Sequence, residues 1–268
     1  MGDLALNAII LAAGEGTRLR PLTNHKPKGL VELFGKNILK RQIDTFISSG
    51  ITDISIVTGF NAEMINFPYI NYFHNPNFKT TNMVETLFCA KEKLNESTII
   101  SYGDIIFEKQ VLQKLISSDY DISVIIDLAW KDYWKMRFKN PLNDAESLIL
   151  DDGYVADIGQ KSQTLESIQG QYIGLMKFQN DGIHQLIEYY EKTKNAAQMG
   201  VNPLNSNLPF ERSYMTDLLQ GMIHFGNKLK AITIEHGWLE LDSFDDYELY
   251  NKLHNTDQLS KLIKLIKN

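Results

Sequence analysis

The chain is organised around Leu11-Ala-Ala-Gly-Glu-Gly-Thr-Arg-Leu-Arg-Pro-Leu-Thr23, which Lys26-Pro-Lys-Gly-Leu-Val31 closes. The run from Ala8 to Leu11 just before it is entirely apolar, the pattern of a parallel strand that is buried on both faces. We therefore expect the loop to leave the carboxyl end of a buried strand. In open α/β sheets, ligands bind in the crevice above those strand ends.

The composition of this loop indicates an anion site. Gly14 and Gly16 lack a Cβ, so a ligand can lie against the backbone there. Four cations follow closely, although the 268-residue chain carries a net charge of −6: Arg18, Arg20, Lys26 and Lys28. The planar guanidinium of Arg18 can hold two phosphate oxygens, and the Lys28 ammonium acts as a mobile point charge.

Two common phosphate-binding loops do not match this spelling. A dinucleotide loop G-x-G-x-x-G needs a third glycine where the chain has Leu19, and the G-x-x-x-x-G-K-[ST] loop is absent. A glycine-rich turn with solvated charges is the plain alternative. Two arginines, Pro21 and the Lys26-Pro-Lys28 closure in register argue against it.

The pattern Leu11-Ala-Ala-Gly-x-Gly-Thr-Arg-Leu-x-Pro-Leu-Thr, followed by Pro27-Lys28-x-Leu30-Val31 and Gly35-Lys36, resembles the signature of nucleotidyltransferases. These enzymes attach an NMP to a phosphorylated acceptor and release pyrophosphate. The resemblance implies an α/β fold, with a Rossmann-like, mixed but mainly parallel sheet sandwiched by helices. We expect the nucleotide to contact Leu11, Ala12, Ala13, Gly14, Glu15, Gly16, Thr17, Arg18, Lys28, Gly59, Asn82, Tyr102 and Gly103.

Two acidic motifs resemble the metal motifs of that family. Gly103-Asp104 follows the predicted buried strand Thr98 to Tyr102, and Glu240-Leu241-Asp242 matches a motif usually spelled Glu-Ile-Asp. A lone Asp after a strand is commonly just a turn residue. The resemblance implies instead that Asp104 and Asp242 hold Mg²⁺ between nucleotide and acceptor, and oxygen ligands suit that ion.

The acceptor side is less sharply defined. The segment from Ala129 to Phe138 carries two tryptophans, a tyrosine and three cations, which is typical either of a wedge packed on the sheet or of a pocket wall. Lys161 falls where family members place a lysine that binds the acceptor phosphate. We assign catalysis to Arg18, Lys28 and Lys161, and acceptor binding to Lys131, Arg137, Lys161, Gln171 and Tyr172.

Hydrophobic periodicity and turn residues predict the order of elements. We expect one domain over 1–268, with a nucleotide half at about 1–128, an acceptor half at about 129–243 and C-terminal helices over 244–268. Expected strands are 8–11, 53–58, 69–73, 98–102, 121–128, a hairpin of 148–150 with 154–158, then 169–178, 229–234 and 238–241. Expected helices are 38 to Gly50, one from Thr80 that buries Cys89, 111–116, 182–192, one from Tyr214, and an amphipathic tail over 244–267. The polar stretch 194–209 suggests a lid or a homodimer contact.

Composition excludes several classes of protein. The single Cys89 cannot form an intramolecular disulfide, and no run reaches the roughly 18 apolar residues that a membrane span needs. No secretory leader is evident. Mild acidity without a long basic stripe argues against a nucleic-acid partner. We expect a cytoplasmic protein without a membrane partner.

Motifs in the middle of the chain resemble small cytidylyltransferases, which implies CTP: 81–84, 100–105, 140–146 and 170–174. Their acceptors are 2-aminoethyl- or 2-hydroxyethylphosphonate, phosphocholine, or phosphorylated amino acids such as phosphoglutamine used in capsule decoration. An aromatic cage for choline is available, but Lys131, Lys135 and Arg137 would repel a cation, so a phosphonate or another small phosphomonoester is favoured. Alternatives are a phosphocholine cytidylyltransferase, a sugar-1-phosphate nucleotidyltransferase, or a non-enzymatic nucleotide sensor. A sensor should have lost some of Arg18, Lys28, Asp104 and Asp242, and all four are present.

Overall fold

A computed structural model describes residues 6–265. The strands are β1 (Leu6–Ala12), β2 (Glu32–Leu33), β3 (Lys36–Asn37), β4 (Asp53–Thr58), β5 (Asn71–His74), β6 (Ser97–Tyr102), β7 (Ile105–Phe107), β8 (Ile122–Asp127), β9 (Glu146–Asp151), β10 (Tyr154–Lys161), β11 (Gln171–Gln179), β12 (Lys230–Ile234) and β13 (Trp238–Glu240). The α-helices are α1 (Ile38–Ser48), α2 (Met83–Phe88), α3 (Lys109–Ile116), α4 (Trp130–Arg137), α5 (Asp181–Ala197), α6 (Met215–His224) and α7 (Phe244–Asn255).

The centre of the fold is a mixed sheet with strand order β5-β4-β1-β6-β11-β8-β12-β10-β9. β1 pairs in parallel with both β4 and β6, and β12 pairs in parallel with β8. Only β10 and β11 run against the other strands of this sheet. The expected Rossmann-like, mostly parallel sheet flanked by helices is therefore confirmed.

Burial explains why the central strands read as apolar runs. Ala8, Ile9 and Ile10 of β1 are fully buried, as are Ile99 and Ile100 of the neighbouring β6. Strands covered on both faces lose the apolar and polar alternation that marks a half-exposed strand. The loops after β1 and β6 leave the same edge of the sheet, because the two strands are parallel.

A two-stranded ribbon brings a distant part of the chain to that edge. β13 pairs antiparallel with β7, with Glu240 opposite Ile105. The backbone N–H of Leu241 then donates to the carbonyl of Asp104 at 2.9 Å. This pairing places Asp242 beside Asp104, which stands just before β7.

The aromatic segment forms a helix rather than a loop. Trp130 and Tyr133 of α4 are 1% exposed, and Tyr133 packs edge-on against Trp238. Its hydroxyl also exchanges hydrogen bonds with Tyr250 of α7 and with the backbone of Glu240. For Trp130 and Tyr133 the wedge interpretation is therefore correct.

Several predicted boundaries differ from the structure. The predicted 69–73 strand runs instead over Asn71–His74, and the hairpin strands extend outward to Glu146 and Lys161. The predicted tail helix does not continue over 256–265, because Asp257 has a left-handed φ of 56°. Gln258 N–H and Asp257 N–H then bond back to the carbonyls of Leu253 and His254, which closes the helix as a Schellman motif. Residues 1–5 and 266–268 lie outside the described part.

The polar stretch 194–209 is tied to the body of the protein. Helix α5 continues to Ala197, and the buried Asn202 donates to Ser213 Oγ at 2.9 Å and to the Leu208 carbonyl at 3.2 Å. Asn205 donates to Asp217 at 3.1 Å. Within residues 6–265, no helix is both long enough and apolar enough for a membrane crossing.

Candidate active site

The glycine loop forms one wall of a cavity of about 270 Å³ above the carboxyl ends of β1 and β6. All the residues assigned to the nucleotide except Glu15 and Gly59 line it. Gly16 has a φ of 64°, and a Cβ there would lie 2.9 Å from Lys28 Cβ. A side chain at this position would therefore push the two ends of the loop apart.

Glu15 and Gly59 lie outside the cavity wall. Glu15 faces Arg20, with 3.5 Å between carboxylate and guanidinium. Gly59 packs behind the loop, where an added Cβ would be 2.5 Å from the carbonyl oxygen of Ala13. Gly59 can thus support the loop, but its place in the fold gives it no direct exposure to a ligand in this cavity.

Three carboxylates meet beside this cavity, two of them in its wall and the third, Glu240, in the wall of an adjoining cavity. Asp104, Glu240 and Asp242 each offer an oxygen, and these oxygens lie within 4.8 Å of one another. Lys28 Nζ donates to Asp104 Oδ2 at 2.9 Å and to Asp242 Oδ1 at 2.8 Å. Arg18 Nη1 lies 2.8 Å from Asp242 Oδ2. The structure thus brings the two predicted acids and two of the predicted cations together.

Local backbone contacts hold the acids in place. Gly103 N–H donates to the Leu11 carbonyl at 2.8 Å, and a Cβ on Gly103 would lie 2.6 Å from that oxygen. The glycine of the Gly103-Asp104 motif therefore lets β6 approach the glycine loop. On the other side, Asp242 N–H donates to Asp246 Oδ2 at 3.1 Å, so Asp242 is fixed to the first turn of α7.

The cluster has the ligand set of a divalent cation site. Its donors are all carboxylate oxygens, which hard cations prefer. Asp104 Oδ1 is buried and has no hydrogen-bond partner within residues 6–265, and a buried acceptor without a partner is unfavourable unless a ligand satisfies it. Burial lowers the pKa of Lys28, but Asp104 and Asp242 outweigh it and raise that pKa above its ordinary value.

A second cavity of about 160 Å³ adjoins the first, and Met83 and Tyr102 line both. The rest of its wall is acidic and aromatic, with some small residues: Trp134, Asp144, Glu146, Gln171, Tyr172, Ile173, Gly174, Tyr214, Thr216, Trp238 and Glu240. Gln171 and Tyr172, both assigned to the acceptor, lie here. Gln171 Nε2 donates to the Glu146 carbonyl at 2.6 Å, which fixes the start of β9 against β11.

The three other residues assigned to the acceptor do not line this cavity. The Arg137 side chain is fully buried. It donates to Glu240 Oε2 at 2.7 Å and to both oxygens of Asp246 at 2.9 and 3.0 Å. Its donors are thus used inside the protein, and a role in direct acceptor contact does not fit this geometry.

Lys131 and Lys161 are accessible but stand apart from the cavity wall. The Lys131 ammonium lies 5.9 Å from the centre of the Trp130 ring. Lys161 is exposed at the end of β10, directly opposite Glu146 in the hairpin. Since Glu146 lines the cavity, Lys161 stands at its rim.

The carboxyl groups of the second cavity hold their protons more tightly than usual. Desolvation by the cavity walls raises the pKa of Glu146 to about 7, with smaller contributions from Asp144, Asp217 and Glu240, although the residue is exposed at the cavity mouth. Burial likewise raises the pKa of Glu240 to about 7, against the opposing charge of Arg137. Burial also raises the pKa of Asp144.

The sequence interpretation missed several lining residues. Glu240 was a motif residue only, yet alternate residues of a strand point to the same side, and its spacing from Asp242 could have shown this. Asp144 and Glu146 have the same spacing. The wall residues Phe78 and Thr86 carry no such signal, because ordinary turns and helix starts use the same residue types.

Comparison with known proteins settles the family. The family model described as Nucleotidyl transferase matches residues 7–86. The CTP:phosphoglutamine cytidylyltransferase of Campylobacter jejuni is 38% identical over 256 residues, which is 91% of this chain and 98% of that protein. The chain belongs to the nucleotidyltransferase family. The choline-phosphate cytidylyltransferase of Streptococcus pneumoniae also resembles this nucleotidyltransferase, with 34% identity over 43% of the chain and 52% of the relative.

Solved structures support the fold of this nucleotidyltransferase. The CTP:phosphocholine cytidylyltransferase from Streptococcus pneumoniae superposes with a TM-score of 0.69 at 22% identity, over 93% of this chain and all of the other. A putative glucose-1-phosphate thymidylyltransferase from Bacillus anthracis gives a TM-score of 0.70 at 18% identity, over 98% of each chain. At such identities the likeness concerns the fold alone.

Proposed function

We propose that this nucleotidyltransferase transfers CMP from CTP to a small phosphomonoester or phosphonate, with Mg²⁺, and releases pyrophosphate. The observation that carries the proposal is the junction of the glycine loop with the acidic cluster. There, Lys28 of the loop bridges Asp104 and Asp242 at 2.9 and 2.8 Å. These two contacts join the loop proposed to bind phosphate to the acids proposed to hold a cation.

The preference for CTP is supported by the relatives. The Campylobacter protein is named for CTP and phosphoglutamine, and the pneumococcal protein for choline phosphate. A CMP-5'-(3-aminopropyl)phosphonate synthase of Streptomyces rubellomurinus is 29% identical over 42% of the chain. These names share a cytidylyl group and a small phosphorus-bearing acceptor, and we extend that shared chemistry to this chain.

The proposed reaction is an in-line displacement at the α-phosphorus. An anionic oxygen of the acceptor bonds to that phosphorus, the bond to the β-phosphate bridging oxygen breaks, and pyrophosphate leaves with the electron pair. Catalysis then consists mainly of alignment and charge neutralisation. No general base is required, because the attacking oxygen is already anionic at neutral pH.

The side chains divide this work according to their positions. The Arg18 side chain is 68% exposed and can bind the departing pyrophosphate. The more deeply placed Lys28 neutralises charge on the α-phosphate. Lys161, exposed opposite Glu146 at the mouth of the second cavity, would extend its side chain toward the acceptor phosphate where the two cavities adjoin. Asp104 and Asp242, with Glu240 beside them, would hold Mg²⁺, which acts when bound as a Lewis acid on the phosphate oxygens.

Pyrophosphate release tests this proposal. The purified protein is incubated with Mg²⁺, each of the common NTPs and a panel of phosphonates and phosphomonoesters. We expect release with CTP, and a loss of about 100-fold or more in Asp104→Asn, comparable to the loss of one preorganised charge at an active site. Asp132→Asn is the matched control, because that side chain is 77% exposed. Pyrophosphate release with glucose-1-phosphate as the only productive acceptor would overturn the proposal. A lack of release with every acceptor in the panel would overturn it as well.

A further inference from the structure

We infer that the acceptor carries a primary ammonium group, which Glu146 and Asp144 bind in the second cavity. The inference rests on the proposed function, because it assumes that the acceptor phosphate reacts beside Asp104 and Asp242. The two cavities share Met83 and Tyr102. An acceptor with its phosphate at the acidic cluster therefore extends its other end toward the second cavity.

The charges in that cavity are strongly one-sided. Asp144, Glu146 and Glu240 line it, and no Lys, Arg or His is among the lining residues that the structure describes. Glu240 is already neutralised by Arg137 at 2.7 Å, and Asp144 Oδ2 accepts from Trp134 Nε1 at 3.1 Å. The Glu146 carboxylate has no hydrogen bond or ion pair with any residue in 6–265. It is thus available to a ligand.

A cation at the end of the acceptor satisfies this arrangement, whereas a second anion would be repelled. Charged hydrogen-bond partners of opposite sign bind about twice as strongly as neutral ones. Glu146 begins β9 and Asp144 stands two residues before it; both line the second cavity, so their carboxylates can approach one ammonium there. Three N–H donors of a primary ammonium match these acceptor oxygens.

The two tryptophans of the second cavity do not offer open faces to a quaternary ammonium. Such a cation binds over free aromatic faces. Trp134 and Trp238 are 4% and 2% exposed, and both rings pack against Tyr133, at centroid distances of 5.5 and 5.4 Å. Their faces are used in the core, Tyr102 and Tyr172 pack edge-on against each other, and the oxygens of Glu146 and Asp144 lie in the same cavity. Hydrogen bonding by N–H groups is therefore favoured over cation–π contact.

Three cations of α4 were expected to repel a positively charged acceptor, but none of them lines the second cavity. Arg137 is buried and balanced by two carboxylates. Lys135 is 60% exposed and lies 3.9 Å from Asp132 on the outer side of α4. Lys131 rests near the Trp130 ring. None of these three charges lies in the wall of the second cavity, so the reason for expecting repulsion of a positive head group does not hold there.

Matched acceptors test the inference. With CTP and Mg²⁺, phosphoethanolamine is compared with 2-hydroxyethyl phosphate, 2-aminoethylphosphonate with 2-hydroxyethylphosphonate, and phosphoglutamine with its N-acetyl form; phosphocholine is the quaternary case. We expect kcat/KM for the ammonium member to exceed that of its neutral partner by about 10-fold or more, the size of one charged hydrogen bond. Phosphocholine should fall below phosphoethanolamine.

Variants of Glu146 and Asp144 test whether these two carboxylates cause the preference for an ammonium acceptor. Glu146→Gln should lower the ammonium-to-neutral ratio toward one through KM rather than kcat, and Asp144→Asn should lower it as well. Glu166→Gln, at an exposed site beyond β10, should keep the wild-type ratio. Three results would overturn the inference and leave the proposed CMP transfer intact. They are equal use of neutral acceptors, a preference for phosphocholine, and an unchanged ratio in both cavity variants. Absence of pyrophosphate release with every acceptor would instead refute the proposed function.

Discussion

Lys28 Nζ donates to Asp242 Oδ1 across 2.8 Å, although 214 residues separate them in the chain. The same ammonium contacts Asp104, and the side chains of all three residues are between 12% and 17% exposed. The contact places a positive charge where a divalent cation would bind. Lys28 therefore balances the charge of the acidic cluster, and a divalent cation bound there would share the carboxylate oxygens with its ammonium.

Lys28→Met should make thermal stability more dependent on Mg²⁺. Without metal, the variant leaves the carboxylates of Asp104 and Asp242 partly buried and without their cation, so its Tm should fall. Added Mg²⁺ then stabilises it more than the wild type, because no ammonium competes for the oxygens. Tm is measured with and without MgCl₂.

The matched control for that experiment is Lys40→Met. Lys40 pairs with Asp44 on the surface, where an ion pair contributes little to stability. Turnover in Lys28→Met should also fall about 100-fold or more, because one preorganised charge is lost. An identical Mg²⁺-induced shift in wild type and Lys28→Met would show that the ammonium and the metal do not share a site.

Arg137→Met should destabilise the protein rather than weaken acceptor binding selectively. The substitution leaves Glu240 and Asp246 without their buried partner, and breaking a buried ion pair costs about 3–5 kcal/mol. Urea unfolding measures the loss. Lys135→Met, on the same helix and 60% exposed, should unfold like the wild type. A stable Arg137→Met enzyme with a raised acceptor KM would indicate direct acceptor contact.

The preference for an ammonium acceptor should increase with pH. The pKa of Glu146 is raised to about 7, so its carboxyl is mostly protonated at pH 6 and ionised at pH 8, whereas an alkyl ammonium stays charged throughout. The groups that act on Glu146 are Asp144, Asp217 and Glu240, with Lys161 opposite it in the hairpin.

The measured quantity is the ratio of kcat/KM for phosphoethanolamine to that for 2-hydroxyethyl phosphate. Titration of the phosphate is common to both and cancels in the ratio. The ratio should rise between pH 6 and 8 in the wild type and stay level in Glu146→Gln. A level ratio in the wild type would mean that Glu146 does not bind the ammonium.

Lys161→Met should act on the acceptor alone. Lys161 stands exposed at the rim, opposite Glu146, and loss of one charged hydrogen bond predicts a rise of about 10-fold in acceptor KM. The KM for CTP should not change. Lys252→Met, at an exposed position of α7, is the control. If both variants behave alike, the acceptor phosphate binds elsewhere.

The sequence was sufficient for the nucleotide side of the molecule because the relevant signals are local. The apolar run Ala8 to Leu11 identified β1, and the motif Gly14 to Arg18 identified the loop that follows it. The junction of Asp104 with Asp242 followed from family motifs. Its physical cause, the pairing of β7 with β13, cannot be read from either segment by itself.

The acceptor side depends on long-range partners, and there the sequence was less informative. Arg137 looked like an accessible cation until Glu240 and Asp246, 103 and 109 residues away, were found to bury its charge. The end of α7 was missed for a local reason. Asp257 occupies the left-handed position where a glycine usually signals the end of a helix.

The most direct test is a crystal structure with Mn²⁺ and a CTP analogue whose α,β-bridging oxygen is replaced by methylene. We predict anomalous scattering from a Mn²⁺ ion bound by Asp104 and Asp242, with the triphosphate along Gly14 to Arg18 and the Lys28 ammonium shifted from the carboxylates to the α-phosphate. Mn²⁺ bound away from these two aspartates, or a triphosphate outside the glycine loop, would contradict the account.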